Sequence, residues 1–151
     1  MKLPTRKGTI VSIQVCTGHR QPMWWVERSE VIADFGLQGD GHARIGSKRQ
    51  LLLIERETLD ALDLPAGEVK ENITTEGIEL KRLDVGQKLL LGDSVRIEIT
   101  QPCEPCARMD EIRGGLRREL EGRRGMLARV LNGGWLCVGD SIAVIAEKEQ
   151  R

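Results

Sequence analysis

The feature that most constrains the fold is a series of short apolar runs separated by glycine-rich turns, with 17 glycines among 151 residues. In residues 94–100, Val95, Ile97 and Ile99 alternate with polar neighbours, which is the period of a half-buried strand. Further runs of strand character cover residues 7–15, 30–35, 49–55, 71–78, 83–91, 126–131 and 141–146. The pattern predicts about seven strands.

Helical patterns are few and short. Residues 56–62 predict one helix, and residues 107–120 predict two helices separated by Gly114 and Gly115. Strands and helices do not alternate, which argues against a doubly wound parallel sheet. We therefore predict a mostly β fold, an antiparallel β-barrel with a few short helices, and a single domain over residues 1–151.

The charge balance excludes some classes of partner. Lys plus Arg and Asp plus Glu both number 23, so no net charge favours nucleic acid or an anionic membrane. No apolar run is long enough to span a bilayer, and the N-terminal residues do not resemble a signal peptide. A cytoplasmic protein is expected, and its four spread cysteines are expected to be reduced rather than paired in a disulfide framework.

Two cysteines, Cys103 and Cys106, each follow a proline directly after the strand at residues 94–100. Because proline suits the first position of a helix, a helix is predicted to begin at Pro105 with Cys106 in its first turn. The positive end of a helix dipole favours thiolate, the form that attacks electrophiles and binds metals. Cys106 is therefore either a reactive sulfur or a buried cysteine that acts as a small hydrophobe.

Three other segments carry polar or aromatic residues that invite a functional interpretation. Asp40 and His42 lie in a glycine-rich loop, where they serve either an anion or metal site or a turn. Arginines are frequent over residues 108–129, which indicates either a solvated face or a phosphate site. Trp24 and Trp25 form either a lid or an anchor for the loop after the first strand, and the anchor is expected.

These motifs together resemble the MOSC domain, which is named for the C-terminal part of molybdenum-cofactor sulfurases. The resemblance covers nearly the whole chain, and it rests on the order and spacing of the motifs rather than on any one of them. The matching stretches are Gly36 to Ala43, Arg49-Gln50, Glu71 to Gly77, Pro105-Cys106, Gly122 to Gly125 and Gly139-Asp140. Cys103 matches no position of the family pattern.

The resemblance implies a β-barrel of the pyruvate-kinase-insert type and a molybdenum–pterin cofactor. It implies that Cys106 is a persulfide carrier or a molybdenum ligand. The residues it implies for cofactor binding are Gly39, Asp40, His42, Arg49, Glu71, Asn72, Arg123 and Arg124, with the arginines meeting the cofactor phosphate. Sulfur or electrons are expected from a partner, a sulfur donor or a reductase protein. The alternative within the family is a molybdenum-dependent reductase of N-hydroxylated compounds.

Two hypotheses lie outside the family. Cys103 and Cys106 form a C-x-x-C pair, which is also the spacing of a dithiol redox centre. The same pair is half of a zinc site, which Cys16, Cys137, His42 or His19 would complete.

Because strand ends converge at the rims of a barrel, the glycine loop around His42, the pair Glu71-Asn72 and Cys106 are expected to meet in space. Arg49 and at least one of Arg123 and Arg124 are expected to line the same cleft, because guanidinium groups bind oxyanions through paired N–H donors.

Overall fold

The structure is a computed structural model that describes residues 6–146. The described chain forms strands β1 (Lys7–Cys16), β2 (Met23–Val26), β3 (Arg28–Ile32), β4 (Gly36–Leu37), β5 (Leu51–Glu55), β6 (Ile73–Glu76), β7 (Lys88–Leu91), β8 (Val95–Pro102), β9 (Met126–Asn132), β10 (Gly134–Cys137) and β11 (Ser141–Val144). Its helices are α1 (Arg56–Ala61), α2 (Met109–Ile112) and α3 (Leu116–Glu119), with a single 3₁₀ turn at Leu80–Arg82.

Seven of these strands close into a barrel in the order β1-β11-β7-β8-β9-β5-β6, with β6 pairing back to β1. β2 extends the sheet from the far end of β1, and β3, β4 and β10 form a small separate sheet. The prediction of a mostly β barrel with short helices is therefore confirmed.

One pair in the described barrel, β5 with β6, is parallel, and the other pairs are antiparallel. A closed ring reverses direction at every antiparallel pair, so a ring with an odd number of strands needs a parallel pair. A parallel pair in turn needs a long crossover. Here the crossover is residues 56–72, which contain α1.

The barrel interior and the crossover each have an apolar core. Ile10, Leu53 and Ile97 are fully buried inside the barrel, as β-branched and leucine side chains on an inward face should be. The neighbouring Ile54 points the other way, into a second cluster that packs the crossover against α2 and α3 through Val69 and other side chains. Of the run at residues 49–55, the strand at 51–55 is thus buried on both faces, as its continuous apolar character predicts.

Gly125 is required where the chain enters β9. Its φ is +106°, and a Cβ there would lie 2.4 Å from the Leu53 carbonyl oxygen of β5. Its own carbonyl accepts a hydrogen bond from Cys103 N at 2.9 Å. Glycine at this position therefore lets Arg124 and Cys103 approach the barrel rim closely.

Three local predictions were wrong. The predicted strands include none at residues 134–137, but Gly134 begins β10 there, and Trp135 pairs opposite Glu30. Trp24 and Trp25 do not anchor a loop by burial; β2 is an edge strand, and both side chains remain about two-thirds exposed, at 65% and 64%.

The third wrong prediction concerns the helix after the cysteines, which begins at Met109 rather than at Pro105. Met109 N donates to Cys106 O at 3.0 Å and Asp110 N to Ala107 O at 3.1 Å, so a tight turn precedes α2. Cys106 therefore lies before the helix, which has four residues, and the argument from the helix dipole does not apply to it. The split at Gly114 and Gly115 is confirmed.

None of the helices within residues 6–146 is both long and apolar enough to cross a lipid bilayer.

We expect Gly125→Ala to destabilise the fold much more than Gly122→Ala. Both glycines have positive φ, but a Cβ at Gly122 meets nothing within 4 Å, whereas one at Gly125 meets backbone. Gly122→Ala should cost about 1–2 kcal/mol, from the left-handed conformation alone. Gly125→Ala should cost at least about 3 kcal/mol, because backbone has to move. Urea unfolding of both variants measures the difference, and equal losses would contradict the close approach to β5.

Candidate functional site

Two adjoining cavities open at one rim of the barrel. The smaller, of about 300 Å³, is lined by Gly41, His42, Arg44, Ser47, Arg49, Leu52, Lys70, Asn72, Cys103, Arg124 and Leu127. The larger, of about 460 Å³, is lined by Cys16, Gly18, His19, Arg20, Gln21, His42, Arg49, Lys70, Cys106, Arg108, Met109, Glu111, Ile112 and Arg124. His42, Arg49, Lys70 and Arg124 line both, so the two cavities form one cationic site, which we call the rim site.

Asp40 fixes the glycine loop at the rim site. Its Oδ1 accepts a hydrogen bond from Cys16 N at 2.7 Å, and Gly41 N donates to Cys16 O at 2.8 Å. Burial raises the pKa of the Asp40 carboxyl, while the Cys16 amide and the nearby His42 act to lower it. The buried Asp40 therefore ties the loop to β1 and leaves His42 exposed beside the cavities.

Asn72 joins two strands at the end of the crossover. Leu52 N donates to its Oδ1 at 3.0 Å, and its Nδ2 donates to Gln14 O at 3.2 Å. These bonds satisfy a backbone N–H group of β5 and a backbone carbonyl of β1, just before β6 begins along the chain. Asn72 thus closes the barrel wall and forms part of the lining of the smaller cavity.

Glu71 lies beneath the rim site rather than in its lining. It is fully buried, and its Oε2 accepts hydrogen bonds from Gly67 N at 2.8 Å and Thr74 Oγ1 at 2.9 Å. Burial raises the pKa of its carboxyl, and the bond from Gly67 acts to lower it. Glu71 therefore holds the turn of residues 67–71 in shape.

Arg124 is a buried cation at the rim site whose hydrogen-bond donors are only partly used. Its side chain is only 6% exposed, and its Nη2 donates to Val69 O at 2.6 Å. Its Nε and Nη1 are buried, and within the described part of the chain they have no hydrogen-bond partner. Burial lowers the pKa of the Arg124 guanidinium, and negative charge on Cys103, Glu71 and Cys106 would raise it. A buried cation with unused donors is costly unless an anion binds it.

Lys70 is a central residue of the rim site that no sequence pattern marked. It lines both cavities, its φ is +70°, and its Nζ donates to Gln21 O at 3.0 Å. Among the described residues, Arg20, Asp34 and Asp63 also have positive φ without being glycine. Aspartate tolerates this conformation, but in arginine and lysine it costs about 1–3 kcal/mol and often marks a functional site. Both Arg20 and Lys70 line the larger cavity.

The two cysteines of the C-x-x-C pair have different surroundings. Cys106 is exposed and lines the larger cavity. Cys103 is buried, packs with Leu52 and Leu127, and forms part of the wall of the smaller one. Cys16, which was considered as a zinc ligand, also lines the larger cavity but is buried, with its Sγ directed at Gly18 O at 3.5 Å.

The structure brings together part of the predicted set. Cys106, His42, Arg49 and Arg124 line the larger cavity, and Asn72 lines the adjoining one. Gly39 is exposed outside both linings, Asp40 and Glu71 lie behind them, and Arg123 turns away to donate to Glu119 O at 2.7 Å. Of the two neighbouring arginines, only Arg124 lies in the cleft.

The zinc hypothesis finds no ligand set within residues 6–146. No three or more His, Cys, Asp or Glu side chains there are close enough to hold a metal ion together. What the rim site offers instead is one exposed thiol beside several cations.

Comparison with known proteins supports the same fold. The YUAD protein from Bacillus subtilis superposes with a TM-score of 0.75 at 14% identity, over 91% of this chain and 95% of that one. YiiM from Geobacillus stearothermophilus gives a TM-score of 0.75 at 18% identity, over 92% of this chain and 75% of that one. YiiM from Escherichia coli gives 0.70 at 20% identity, over 93% and 70%.

In sequence, a protein named Reductase from Gibberella moniliformis is 31% identical over 83 residues, which are 52% of this chain and 15% of that protein. This chain therefore matches only a small part of that relative. Residues 40–143 match the family described as the MOSC domain, and this stretch contains Asp40, Arg49, Asn72, Cys106 and Arg124. The chain belongs to the MOSC domain family.

Proposed function

We propose that the rim site binds a molybdenum–pterin cofactor, with Arg124 and Arg49 on its phosphate and the Cys106 sulfur toward its metal. The observation that carries the proposal is the buried Arg124 guanidinium, whose Nε and Nη1 find no partner among the described residues. Arg49 lines the same two cavities, and its side chain is exposed. Two guanidinium groups with free donors suit a phosphate, because each presents planar N–H pairs to oxygen.

The chemistry of the donor set fits the metal half of such a cofactor as well. Molybdenum in this kind of cofactor is bound by sulfur, and thiolate is the soft ligand that this chain offers at Cys106. Cys106 shares its cavity with Arg124, Arg49 and Lys70, so its sulfur and three cationic side chains line one space. When bound, the cofactor would supply a metal that exchanges electrons or accepts sulfur.

The same cysteine serves as a sulfur carrier if a partner delivers sulfur. The Cys106 thiolate would attack the outer sulfur of a donor persulfide, form Cys106–S–SH, and release the donor's thiolate. This step needs an exposed thiol, which Cys106 has and Cys103 lacks. The partner on this proposal is a sulfur donor protein.

A molybdenum-dependent reductase of N-hydroxylated compounds is the second candidate function. The name Reductase of the relative from Gibberella moniliformis favours it. In this case Cys106 would remain a metal ligand, and the partner would be a reductase protein that delivers electrons. Molybdenum retained through purification, with turnover once an electron donor is added, would distinguish this function from sulfur transfer.

We expect Arg124→Met and Arg49→Met to lose most of the molybdenum and pterin that the protein retains from a host that makes the cofactor. Arg123→Met should retain both, because Arg123 lies outside the cleft and bonds Glu119 O. Elemental analysis for molybdenum and fluorescence of oxidised pterin measure retention. Arg49 has no side-chain role in the fold that the described residues show, so its variant separates loss of binding from loss of folding. Equal retention in all three variants would refute the phosphate site.

We expect Cys106→Ala to abolish molybdenum retention or persulfide formation, whereas Cys103→Ala should keep most of either. The reason is exposure, because Cys106 is exposed in the larger cavity, whereas Cys103 is buried against Leu52 and Leu127 in the wall of the smaller one. Cys103→Ala should instead lower the free energy of unfolding by about 1 kcal/mol, through the small cavity it leaves. Intact mass after treatment with a sulfur donor, and metal analysis in parallel, give both results. Equal loss in both variants would indicate that Cys103 and Cys106 act together as a dithiol.

A further inference from the structure

A third cavity, of about 390 Å³, adjoins the rim site on the side away from Asn72. It shares Arg20, Lys70 and Ile112 with the larger cavity of the rim site, so the two are continuous. Its remaining walls are mostly apolar and come from Pro22, Met23, Trp25, Pro65, Ala66 and Gly67. The cofactor proposal leaves this cavity unused.

Trp25 gives the cavity a flat aromatic wall. It lies on the edge strand β2 and is 64% exposed, which is a large apolar surface to leave in water. The edge of the indole lies beside the crossover, because a Cβ built on Gly67 would lie 3.2 Å from Trp25 Nε1. The exposed indole offers its ring surface to a ligand, and planar rings stack favourably on such a surface.

Lys70 gives the same cavity a cation where it meets the rim site. Its Nζ uses one of three donors, to Gln21 O, and none of the ion pairs among the described residues includes it. Arg20 is less available, because its Nη1 is 2.7 Å from Glu111 Oε1. Glu68 also lines the cavity and is exposed. The strained backbone at Lys70, with φ +70°, holds this charge at the junction.

We infer that this third cavity is a substrate subsite for small aromatic carboxylates, with the ring against Trp25 and the carboxylate on Lys70. The ammonium of lysine is a compact point charge, which suits one carboxylate, whereas the two guanidinium groups of the rim site suit a phosphate. The ring would point outward along β2, and the carboxylate toward the cavity that Cys106 lines. As a substrate subsite the inference rests on the proposed function, but ligand binding to it does not.

The test uses the protein without cofactor, with benzoate as the probe and the indole N–H resonances of the three tryptophans as the readout. Trp25→Phe assigns the resonance of Trp25. Benzoate should shift that resonance in a saturable way, benzamide should bind at least about tenfold more weakly, and acetate should leave it unmoved, because charge and ring are both needed. Lys70→Met should weaken benzoate binding by at least about tenfold while keeping the apolar stem.

Two further variants test whether the loss of benzoate binding is specific to Lys70 and independent of folding. Lys81→Met, which removes an exposed lysine of the 3₁₀ turn, should bind benzoate as the parent does. Lys70→Gly suits the positive φ and should fold at least as well as the parent, yet lose benzoate binding. The inference is overturned if benzamide binds as tightly as benzoate, if Lys70→Met binds unchanged, or if benzoate leaves the Trp25 resonance unmoved. Loss of cofactor retention in the arginine variants would bear on the proposed function alone.

Discussion

The parallel pairing of β5 with β6 is the constraint on which the rest of the site depends. An odd ring of strands cannot close without it, and it obliges the chain to cross over outside the barrel between residues 56 and 72. The crossover has its own apolar cluster with α2 and α3, so it is packed rather than loose. The crossover therefore places its last residues, Val69 to Asn72, at the rim. They lie there beside the glycine loop that contains His42 and the turn that contains Cys106.

The crossover and the turn before β9 then hold each other in place through charged groups. Arg124 donates to Val69 O, while Glu71 accepts from Gly67 N, so a cation and a carboxylate clamp the same short segment. Glu71 Oε1 and Arg124 Nε and Nη1 are buried, and no described residue satisfies them. Removing either side chain would also leave the backbone group that it binds, Gly67 N or Val69 O, without this partner. A bound anion would complete the hydrogen bonds of Arg124 and so couple ligand binding to the order of the segment.

The local sequence pattern predicted those features of the fold that neighbouring residues determine. Alternation of apolar residues placed most strands, and two adjacent glycines split α2 from α3. The helix start predicted at Pro105 was wrong, because a proline is compatible with the first position of a helix but does not require a helix there. A tight turn over Cys106 to Asp110 precedes the helix instead. The parallel pair joins strands that are distant along the chain, which periodicity does not reveal, and no sequence pattern marks the left-handed backbone of Lys70. Arg123 and Arg124 are equivalent as sequence, and the structure places only Arg124 in the cleft.

The difference between the two cysteines follows from the same geometry. Gly125 O accepts the amide of Cys103 and holds it against the barrel wall, where Leu52 and Leu127 cover its sulfur. Three residues later the chain has left the wall, and the Cys106 sulfur stands in the cavity with Arg124, Arg49 and Lys70. The close approach at Gly125 therefore sets the burial of Arg124 and Cys103 together, and leaves Cys106 as the sulfur of the pair that lines the larger cavity.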